Sequence, residues 1–452
     1  MTTLISGDFT LNLSLCLYKT EADFVVGRQK EKDMALSKKP VTGMKDILPE
    51  EMKIRNYVQN VIKDTYKAFG FTQIETPCVE NISNLTNKQG GENEKLIFKI
   101  LKRGEKLNLE TAQTEADVVD NGLRYDLTVP LVRYYSKNAN DLPSPFKALQ
   151  MGNVWRADRP QRGRYRQFMQ CDIDILGDPS NLAEIELILA TTTTLGKLGF
   201  KNFQIRINER RILKAMAAYS GFPEDSYDSV FIILDKMDKI GLEGVKEELI
   251  KYEFAPESVE KYTQLFEEIE HQENPIEYLS EKLGDYMEDD VKQWMTEIID
   301  SVKATKSSDF EIVFDPTLVR GMSYYTGTIF EISIPEFGGS CGGGGRYDKM
   351  VGKFTGHDVP ACGFSIGFER IVLLLMEQGF QIPEDYDKVV YLIEKGVNGQ
   401  ALCDVIAQAQ EERKNGTQVL VTRMNKNKKF QKEQLNAQGY SYFKEFYKNP
   451  LK

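Results

Sequence analysis

Histidine and tryptophan are scarce in this sequence, with two of each among 452 residues. His271 lies in a glutamate-rich segment and His357 in a glycine-rich turn, so neither belongs to an HExxH motif or an i, i+4 ligand pair. This scarcity argues against a histidine-based metal site and against a Ser-His-Asp triad, and we expect no metal site built from side chains. Any chemistry must depend on arginines, carboxylates and amides.

Paired cysteines and long apolar runs are also missing. The six cysteines include no CxxC pair, which indicates reduced cytosolic thiols rather than a disulfide framework or a zinc site. No run reaches about eighteen apolar residues, and no positively charged segment precedes the first apolar stretch, so we expect a cytoplasmic protein with no membrane partner. The net charge of −10 argues against indiscriminate nucleic-acid binding but leaves room for a local basic surface that attracts one RNA.

The segment from Trp155 to Phe168 is rich in arginine, with five arginines in fourteen residues. Apolar runs at 146–151 and 171–176 flank it, which predicts a β-hairpin that carries guanidinium groups on its loop. Arginine is permanently charged and binds phosphate oxygens in a bidentate manner, so this hairpin suits a polyphosphate. The alternative, a solvated charged loop, leaves the aromatic Phe168 and a second arginine motif around Arg320 unexplained.

The chain is long enough for two or three domains, and its composition changes along its length. We predict an N-terminal extension that is disordered or follows an upstream start, a core in two parts separated by a helical insertion, and a short C-terminal α/β domain. The predicted ranges are 1–38 for the extension, 39–204 and 306–380 for the core, 205–305 for the insertion and 383–452 for the last domain.

Near the start of the core, Pro49 opens a predicted helix whose apolar positions keep helical spacing until Gly70 ends it. A strand is predicted at 71–75. A long helix followed by a strand suits a dimer edge, where strands from two subunits meet, or equally an ordinary helix–strand unit. A hairpin is predicted over 95–109.

Two glycine-rich segments lie in the second part of the core. Residues 338–348 lack a Walker A motif, so they favour close approach of the backbone to a ligand, with a plain turn and bulge as the alternative. Residues 361–375 predict a strand that leads into an apolar helix with Glu369 and Arg370 in its first turn. A helix N-terminus attracts anions and Arg370 would reinforce this, unless it only pairs with a neighbouring carboxylate.

The polar residues at these junctions fall into three chemical groups. They are the fixed positive charges Arg156, Arg320 and Arg370, the acceptors Asp126, Gln170 and Asp174, and the aromatic walls Tyr324 and Tyr325. This combination suits an amino-acid pocket beside a nucleotide pocket. It contains no activated nucleophile, and the attack of a carboxylate on an α-phosphate needs none.

These segments resemble known motifs. The helix–strand–proline unit, the arginine-rich hairpin and the run Gly363–Arg370 are similar to the three signature motifs of class II aminoacyl-tRNA synthetases. Leu318–Gly327 and Gly344–Asp348 resemble two motifs peculiar to histidyl-tRNA synthetases, and Pro40–Pro49 resembles the usual entry of that family. The resemblance covers residues 39–380 well and 383–452 loosely.

The resemblance implies an α/β (α+β) fold, in which helices flank the six-stranded antiparallel sheet of class II synthetases. It also implies a homodimer that activates L-histidine with ATP and Mg²⁺ and transfers it to tRNA(His). The alternatives are a non-catalytic paralogue that acts as the regulatory subunit of ATP phosphoribosyltransferase, and a module that binds uncharged tRNA for signalling.

The same resemblance implies a role for each matching residue. Those expected at the histidine site are Asp126, Leu127, Thr128, Arg156, Gln170, Asp174, Arg320, Tyr324 and Tyr325. Those expected at ATP are Arg156 on the α-phosphate, Phe168 on adenine and Arg370 on the γ-phosphate. Arg320 and Arg156 are the expected catalytic residues, and Gln161 and Arg162 are expected to reach the tRNA acceptor end.

Two features depart from the family pattern. Ser323 stands where many members carry aspartate, which alters local hydrogen bonding but leaves Arg320 and both tyrosines in place. The last domain is shorter than the family's anticodon-binding domain, so anticodon reading is not assigned to it. Its basic run at 423–432 either contacts RNA or forms a solvated loop.

Overall fold

The structure is a computed structural model that describes residues 36–86, 94–320, 324–383 and 387–449. The chain divides into two compact units, one that ends at Gln378 and one that begins at Gly379. Most of the predicted extension at 1–38 lies outside the described residues. So does Ser323, the residue that departs from the aspartate of the family pattern. The domain ranges given above stay predictions.

The first unit contains thirteen helices among the residues described. They are α1 (Pro49–Ala68), α2 (Ile82–Thr86), α3 (Glu115–Val118), α4 (Thr128–Asn138), α5 (Leu182–Lys197), α6 (Arg210–Ser220), α7 (Tyr227–Leu234), α8 (Met237–Lys251), α9 (Pro256–Ile269), α10 (Pro275–Leu283), α11 (Asp289–Thr305), α12 (Lys349–Thr355) and α13 (Phe368–Glu377). The helix predicted from Pro49 is confirmed: proline opens α1, where its missing N–H costs nothing, and Val58, Ile62 and Tyr66 form its buried face.

Eleven strands lie in the described part of this unit. They are β1 (Thr72–Ile74), β2 (Val79–Asn81), β3 (Lys99–Leu101), β4 (Val119–Leu123), β5 (Phe146–Trp155), β6 (Gln167–Leu176), β7 (Phe203–Glu209), β8 (Phe310–Phe314), β9 (Thr328–Ile334), β10 (Gly339–Arg346) and β11 (Ala361–Ile366). Eight of them form one sheet in the order β1-β5-β6-β11-β10-β9-β7-β8. The six strands from β5 to β7 in that order are antiparallel, as predicted, whereas β1 and β8 add parallel edges.

Two sequence-based expectations differ from these elements. The hairpin predicted over 95–109 is wrong, because β3 pairs with the distant strand β4 in a small sheet with β2. Residues 205–209, placed at the start of the helical insertion, belong to β7 of the large sheet, and the helices begin at Arg210. Strand pairing across such distances leaves no local signal in the sequence.

The centre of the large sheet depends on glycine. A Cβ on Gly344 in β10 would lie 1.9 Å from the carbonyl oxygen of Gly363 in β11, and one on Gly363 would lie 2.0 Å from Oδ1 of Asp174. Only residues without a side chain fit at this contact, so the strands pack closely and leave open space above them. Residues 338–348 are not a plain turn and bulge, because Gly339–Arg346 form a central strand, but the register of that strand shifts between Ser340 and Gly342.

The second unit is a small parallel sheet with two helices. Its strands β12 (Lys388–Ile393), β13 (Gln418–Arg423) and β14 (Tyr442–Phe446) lie in the order β13-β12-β14, with α14 (Gly399–Lys414) and α15 (Lys428–Ala437) between them in the chain. Strands and helices alternate along this part of the chain. Lys428 and Lys432 of the basic run pair with Glu445 at 2.6 Å each, so part of this charge is neutralised within the unit.

No helix in the part of the chain that the structure describes is long and apolar enough to cross a membrane.

The glycine contact yields a prediction about stability. Gly344→Ala should lower the free energy of unfolding by about 1–3 kcal/mol or prevent folding, because the new methyl group overlaps a backbone oxygen that cannot move aside. Urea unfolding measures the change. Gly339→Ala on the same strand is the control, since its Cβ would meet only the Phe337 ring at 3.7 Å. Equal stability of the two variants would contradict the packing argument.

Candidate active site

One pocket of about 430 Å³ opens above the glycine-rich centre of the large sheet. It brings together residues predicted from distant parts of the sequence: Asp126, Thr128, Arg156, Phe168, Gln170, Asp174, Arg320, Tyr324, Tyr325 and Arg370. Gln161, Arg162 and Leu127 are not among its lining residues. Leu127 is buried beside the pocket, and its carbonyl accepts a hydrogen bond from Nε2 of Gln150 at 3.0 Å.

Three buried carboxylates form one end of the pocket. Asp172 and Asp174 point from the same face of β6 as Gln170, because alternate residues of a strand share a face. Asp126 precedes α4 and accepts a hydrogen bond from the backbone N–H of Val129 at 3.0 Å. Asp174 accepts one from the hydroxyl of Tyr347 at 2.6 Å.

Burial of these carboxylates opposes their ionisation. It raises the pKa of Asp172 to about 7, against the hydrogen bond from Ser365, which lowers it. The pKa of Asp174 is raised well above its usual range, first by burial and then by the charge of Asp172. Burial also raises the pKa of Asp126. A cationic ligand between them would restore the ionised forms, so this end of the pocket suits an amine or a protonated ring.

Arg156 lines the pocket near these carboxylates, and its positive charge opposes the rise in the pKa of Asp126 and of Asp172. It follows the last residue of β5, and its Nε donates to the carbonyl of Tyr125 at 2.8 Å. Its guanidinium lies over the rings of Phe168 at 5.2 Å and Tyr125 at 5.5 Å. These contacts orient a fixed positive charge toward the middle of the pocket.

The other end of the pocket is positively charged. Nε of Arg320 donates to Glu331 at 2.8 Å, and the guanidinium lies flat on β10, where a Cβ on Gly343 would lie 2.8 Å from it. Arg370 donates to the carbonyl of Ser340. Burial lowers its pKa, and the positive charges of Arg320 and Arg164 lower it further. Several cations held close together favour a polyanion such as a polyphosphate.

The carboxylate next to Arg370 in the sequence has a different partner. Glu369 is buried and binds both terminal nitrogens of Arg55 from α1, at 2.5 and 2.9 Å. It also accepts a hydrogen bond from the backbone N–H of Met169 at 3.0 Å. Glu369 is therefore held by Arg55 and Met169, whereas Arg370 lines the pocket and donates to the carbonyl of Ser340.

Tyr324 and Tyr325 form an aromatic wall near the carboxylates. Their ring centroids are 4.4 Å apart and their hydroxyl oxygens 3.3 Å apart. Tyr324 also meets the ring of Tyr347 edge-on at 6.3 Å. This part of the pocket therefore offers aromatic surfaces and hydroxyl groups to a ligand with a flat polar ring.

The loop of the arginine-rich hairpin contributes Asp158, Gly163, Arg164 and Tyr165 to the pocket lining, whereas Gln161 and Arg162 at its tip do not line the pocket. The hairpin itself is confirmed, with β5 and β6 paired from Phe146 to Trp155. At its tip, Arg162 forms an ion pair with Glu377 and lies over the ring of Phe337 at 5.2 Å, with half of its side chain exposed. Gln161 forms an isolated bridge with Arg164.

Sequence reasoning missed three residues at the site. Asp172 stands between the two acceptors that were singled out on β6, and the alternation of a strand was enough to find it. Tyr347 lies in the motif at 344–348 but received no role. Glu331 gave no signal, because its importance comes from its contact with Arg320.

Comparison with known proteins places the chain among close relatives. The family profile described as "Histidyl-tRNA synthetase" matches residues 43–371. A histidine–tRNA ligase of Leifsonia xyli subsp. xyli is 41% identical over 423 residues, which are 89% of this chain and 94% of that relative. One from Christiangramia forsetii is 39% identical over 349 residues, 75% of this chain and 76% of that protein. The crystal structure of histidyl-tRNA synthetase from Nostoc sp. PCC 7120 superposes with a TM-score of 0.74 at 27% identity, covering 90% of this chain and 91% of that one.

The buried carboxylates make stability depend on pH. Asp172 binds its proton more tightly in the folded than in the unfolded chain, so the free energy of unfolding should fall as pH rises from the ordinary carboxyl range to about 7. Asp172→Asn should reduce this fall, because it removes one charge and relieves Asp174. Thermal or urea unfolding across this range measures it. The exposed Asp141→Asn is the control, and an unchanged pH slope in Asp172→Asn would refute the argument.

Proposed function

Because the chain belongs to the histidyl-tRNA synthetase family and is a histidine–tRNA ligase of class II, we propose that its central pocket joins L-histidine to ATP. The product is histidyl-adenylate, from which the histidyl group passes to tRNA(His). The observation that supports this most directly is that a single pocket is lined both by buried carboxylates and by several arginines. A cationic amino acid and a polyphosphate fit these two groups of side chains.

In this proposal the carboxylate end holds histidine. Asp126, Thr128 and Gln170 bind the α-ammonium group, and Asp174 binds the imidazole ring. Tyr324 and Tyr325 close over the ligand, and Leu127 supports the site from behind through its backbone. The high proton affinity of the carboxyl groups in the free protein supports these roles, because a bound cation relieves the cost of ionising them.

The arginine end holds ATP. Phe168 stacks on adenine, Arg370 binds the γ-phosphate, and Arg156 binds the α-phosphate beside the histidine carboxylate. An oxygen of that carboxylate attacks the α-phosphorus, and the bond to pyrophosphate breaks. Arg320 stabilises the negative charge that develops, so catalysis consists of positioning and electrostatics, without a protein nucleophile.

We further propose that Mg²⁺ arrives bound to the phosphates of ATP. The described residues contain no group of three or more acidic, cysteine or histidine side chains able to hold a metal ion. Mg²⁺ keeps most of its waters and binds nucleotides with few protein ligands, so a pocket without a cluster of metal-binding side chains can still accept Mg²⁺ together with ATP. When bound, the ion neutralises charge on the phosphates.

The remaining partners follow from the same family membership. Gln161 and Arg162 at the hairpin tip contact the tRNA acceptor end, and the exposure of Arg162 supports this. We propose a homodimer, which agrees with the position of β1 at an edge of the large sheet, and action in the cytoplasm. The regulatory-subunit alternative is not favoured, because the curated relatives at 39–41% identity are ligases.

Histidine-dependent exchange of pyrophosphate into ATP tests the activation step. The purified protein should exchange only with histidine, and Arg320→Ala should lose about 100-fold or more of the rate, as when an oxyanion-type donor is removed. Arg133→Ala is a matched control, since Arg133 also pairs with a glutamate and its side chain is 27% exposed against 29% for Arg320. Histidine binding without any exchange would sink the ligase proposal and favour the regulatory subunit.

The hairpin tip gives a second prediction. Arg162→Ala should lower the rate of tRNA charging about tenfold, the effect of one lost RNA contact, and leave pyrophosphate exchange unchanged. The exposed Arg103→Ala removes the same charge elsewhere and serves as the control. Equal losses in exchange and in charging would contradict a role at the tRNA.

A further inference from the structure

Arg320 separates two cavities. Besides the central pocket, a second cavity of about 270 Å³ lies on its other side, lined by Leu234, Met237 and Asp238 among others. Packed side chains therefore do not enclose the guanidinium from behind. Its position depends on its polar contacts: its Nε pairs with the carboxylate of Glu331, and a terminal nitrogen donates to the hydroxyl of Ser340 and the carbonyl of Gly342.

Glu331 contacts two arginines at once. Its Oε2 accepts from Nε of Arg320 at 2.8 Å, and its Oε1 lies 3.5 Å from a terminal nitrogen of Arg206. Glu331 and Arg206 are opposite each other on the paired strands β9 and β7, so the backbone sets their spacing. The carboxylate is 14% exposed, which limits screening of both contacts by solvent.

Arg206 extends this chain of charges beyond the sheet. Its Nε donates to Asp315, and its two terminal nitrogens bind Asp238 in a bidentate manner at 2.9 and 3.2 Å. Asp238 lies in the first turn of α8, before the interruption of that helix at Gly241, where φ is 67°. The start of α8 is thus linked to Arg320 through Arg206 and Glu331.

We propose that Glu331, Arg206 and Asp238 are positioning residues that orient Arg320, so that the start of α8 sets the geometry of the charge that acts on the α-phosphate. This proposal rests on the proposed function and names groups that touch neither histidine nor ATP. Loss of the charge of Glu331, Arg206 or Asp238 leaves the guanidinium of Arg320 in place on β10 but allows it to rotate toward the second cavity. Transition-state stabilisation is then lost more than substrate binding.

The position of Asp238 decides how large its effect is. Its side chain is 67% exposed, and exposed ion pairs are weak. Glu331 is nearly buried and contacts Arg320 directly, so its loss matters more. The proposal therefore predicts that substitutions of these residues lower turnover to different degrees. The effect should decrease with the number of contacts that separate a residue from Arg320.

The test is pyrophosphate exchange with single and double variants of the full chain. Glu331→Gln should lower kcat about tenfold, and Asp238→Asn about threefold, with the KM values for histidine and ATP within about twofold of wild type. The matched control is Glu260→Gln. Glu260 is 66% exposed, close to the value for Asp238, and it pairs with Lys246 of α8, the helix that contains Asp238. Thermal unfolding of each variant checks that it is folded.

The double variant Glu331→Gln/Asp238→Asn tests the route of the coupling. If Asp238 acts through Glu331, adding Asp238→Asn to Glu331→Gln should cause no further loss. Equal kcat for Asp238→Asn and Glu260→Gln, or a change in KM instead of kcat, would overturn the proposal. A wild-type chain with no histidine-dependent exchange would refute the proposed function instead, so the two failures are distinguishable.

Discussion

The close contact between β10 and β11 is the constraint on which the site depends. Gly344 and Gly363 meet where no side chain fits, and this contact joins two strands that follow each other in the chain. On its other side β11 pairs with β6, which carries Asp172 and Asp174. The glycines thus bring the strand with the carboxylates and the strand beneath Arg320 into one sheet, and they leave open space above it.

The space above the glycines is electrically polarised. Burial raises the pKa of the aspartates, whereas burial first, and then the charges of Arg320 and Arg164, lower the pKa of Arg370. Both groups of like charges are costly without a ligand, since each member opposes the ionisation of its neighbours. A cationic ligand and a polyphosphate bound together would relieve both costs, in agreement with the proposal that this pocket holds histidine and ATP.

The success of the sequence-based predictions follows the range of the interactions involved. The helix from Pro49 and the hairpin around Arg162 are governed by neighbours in the chain, and both are confirmed. The expected hairpin over 95–109 failed, because β3 pairs with a distant strand. Ten of the predicted site residues line one pocket, whereas Leu127 turns its side chain into the core.

The sequence by itself determined which chemical groups the chain carries and the local elements that hold them, because capping, periodicity and turn residues act over a few positions. It also established the family resemblance. Only the tertiary structure decided which groups meet: Glu369 with Arg55, Glu331 with both Arg320 and Arg206, and Asp172 with Ser365. Most of these contacts join residues that are remote in sequence, whereas Glu331 and Arg320 are eleven positions apart. Their energies depend on burial and distance, which exist only once the sheet has formed.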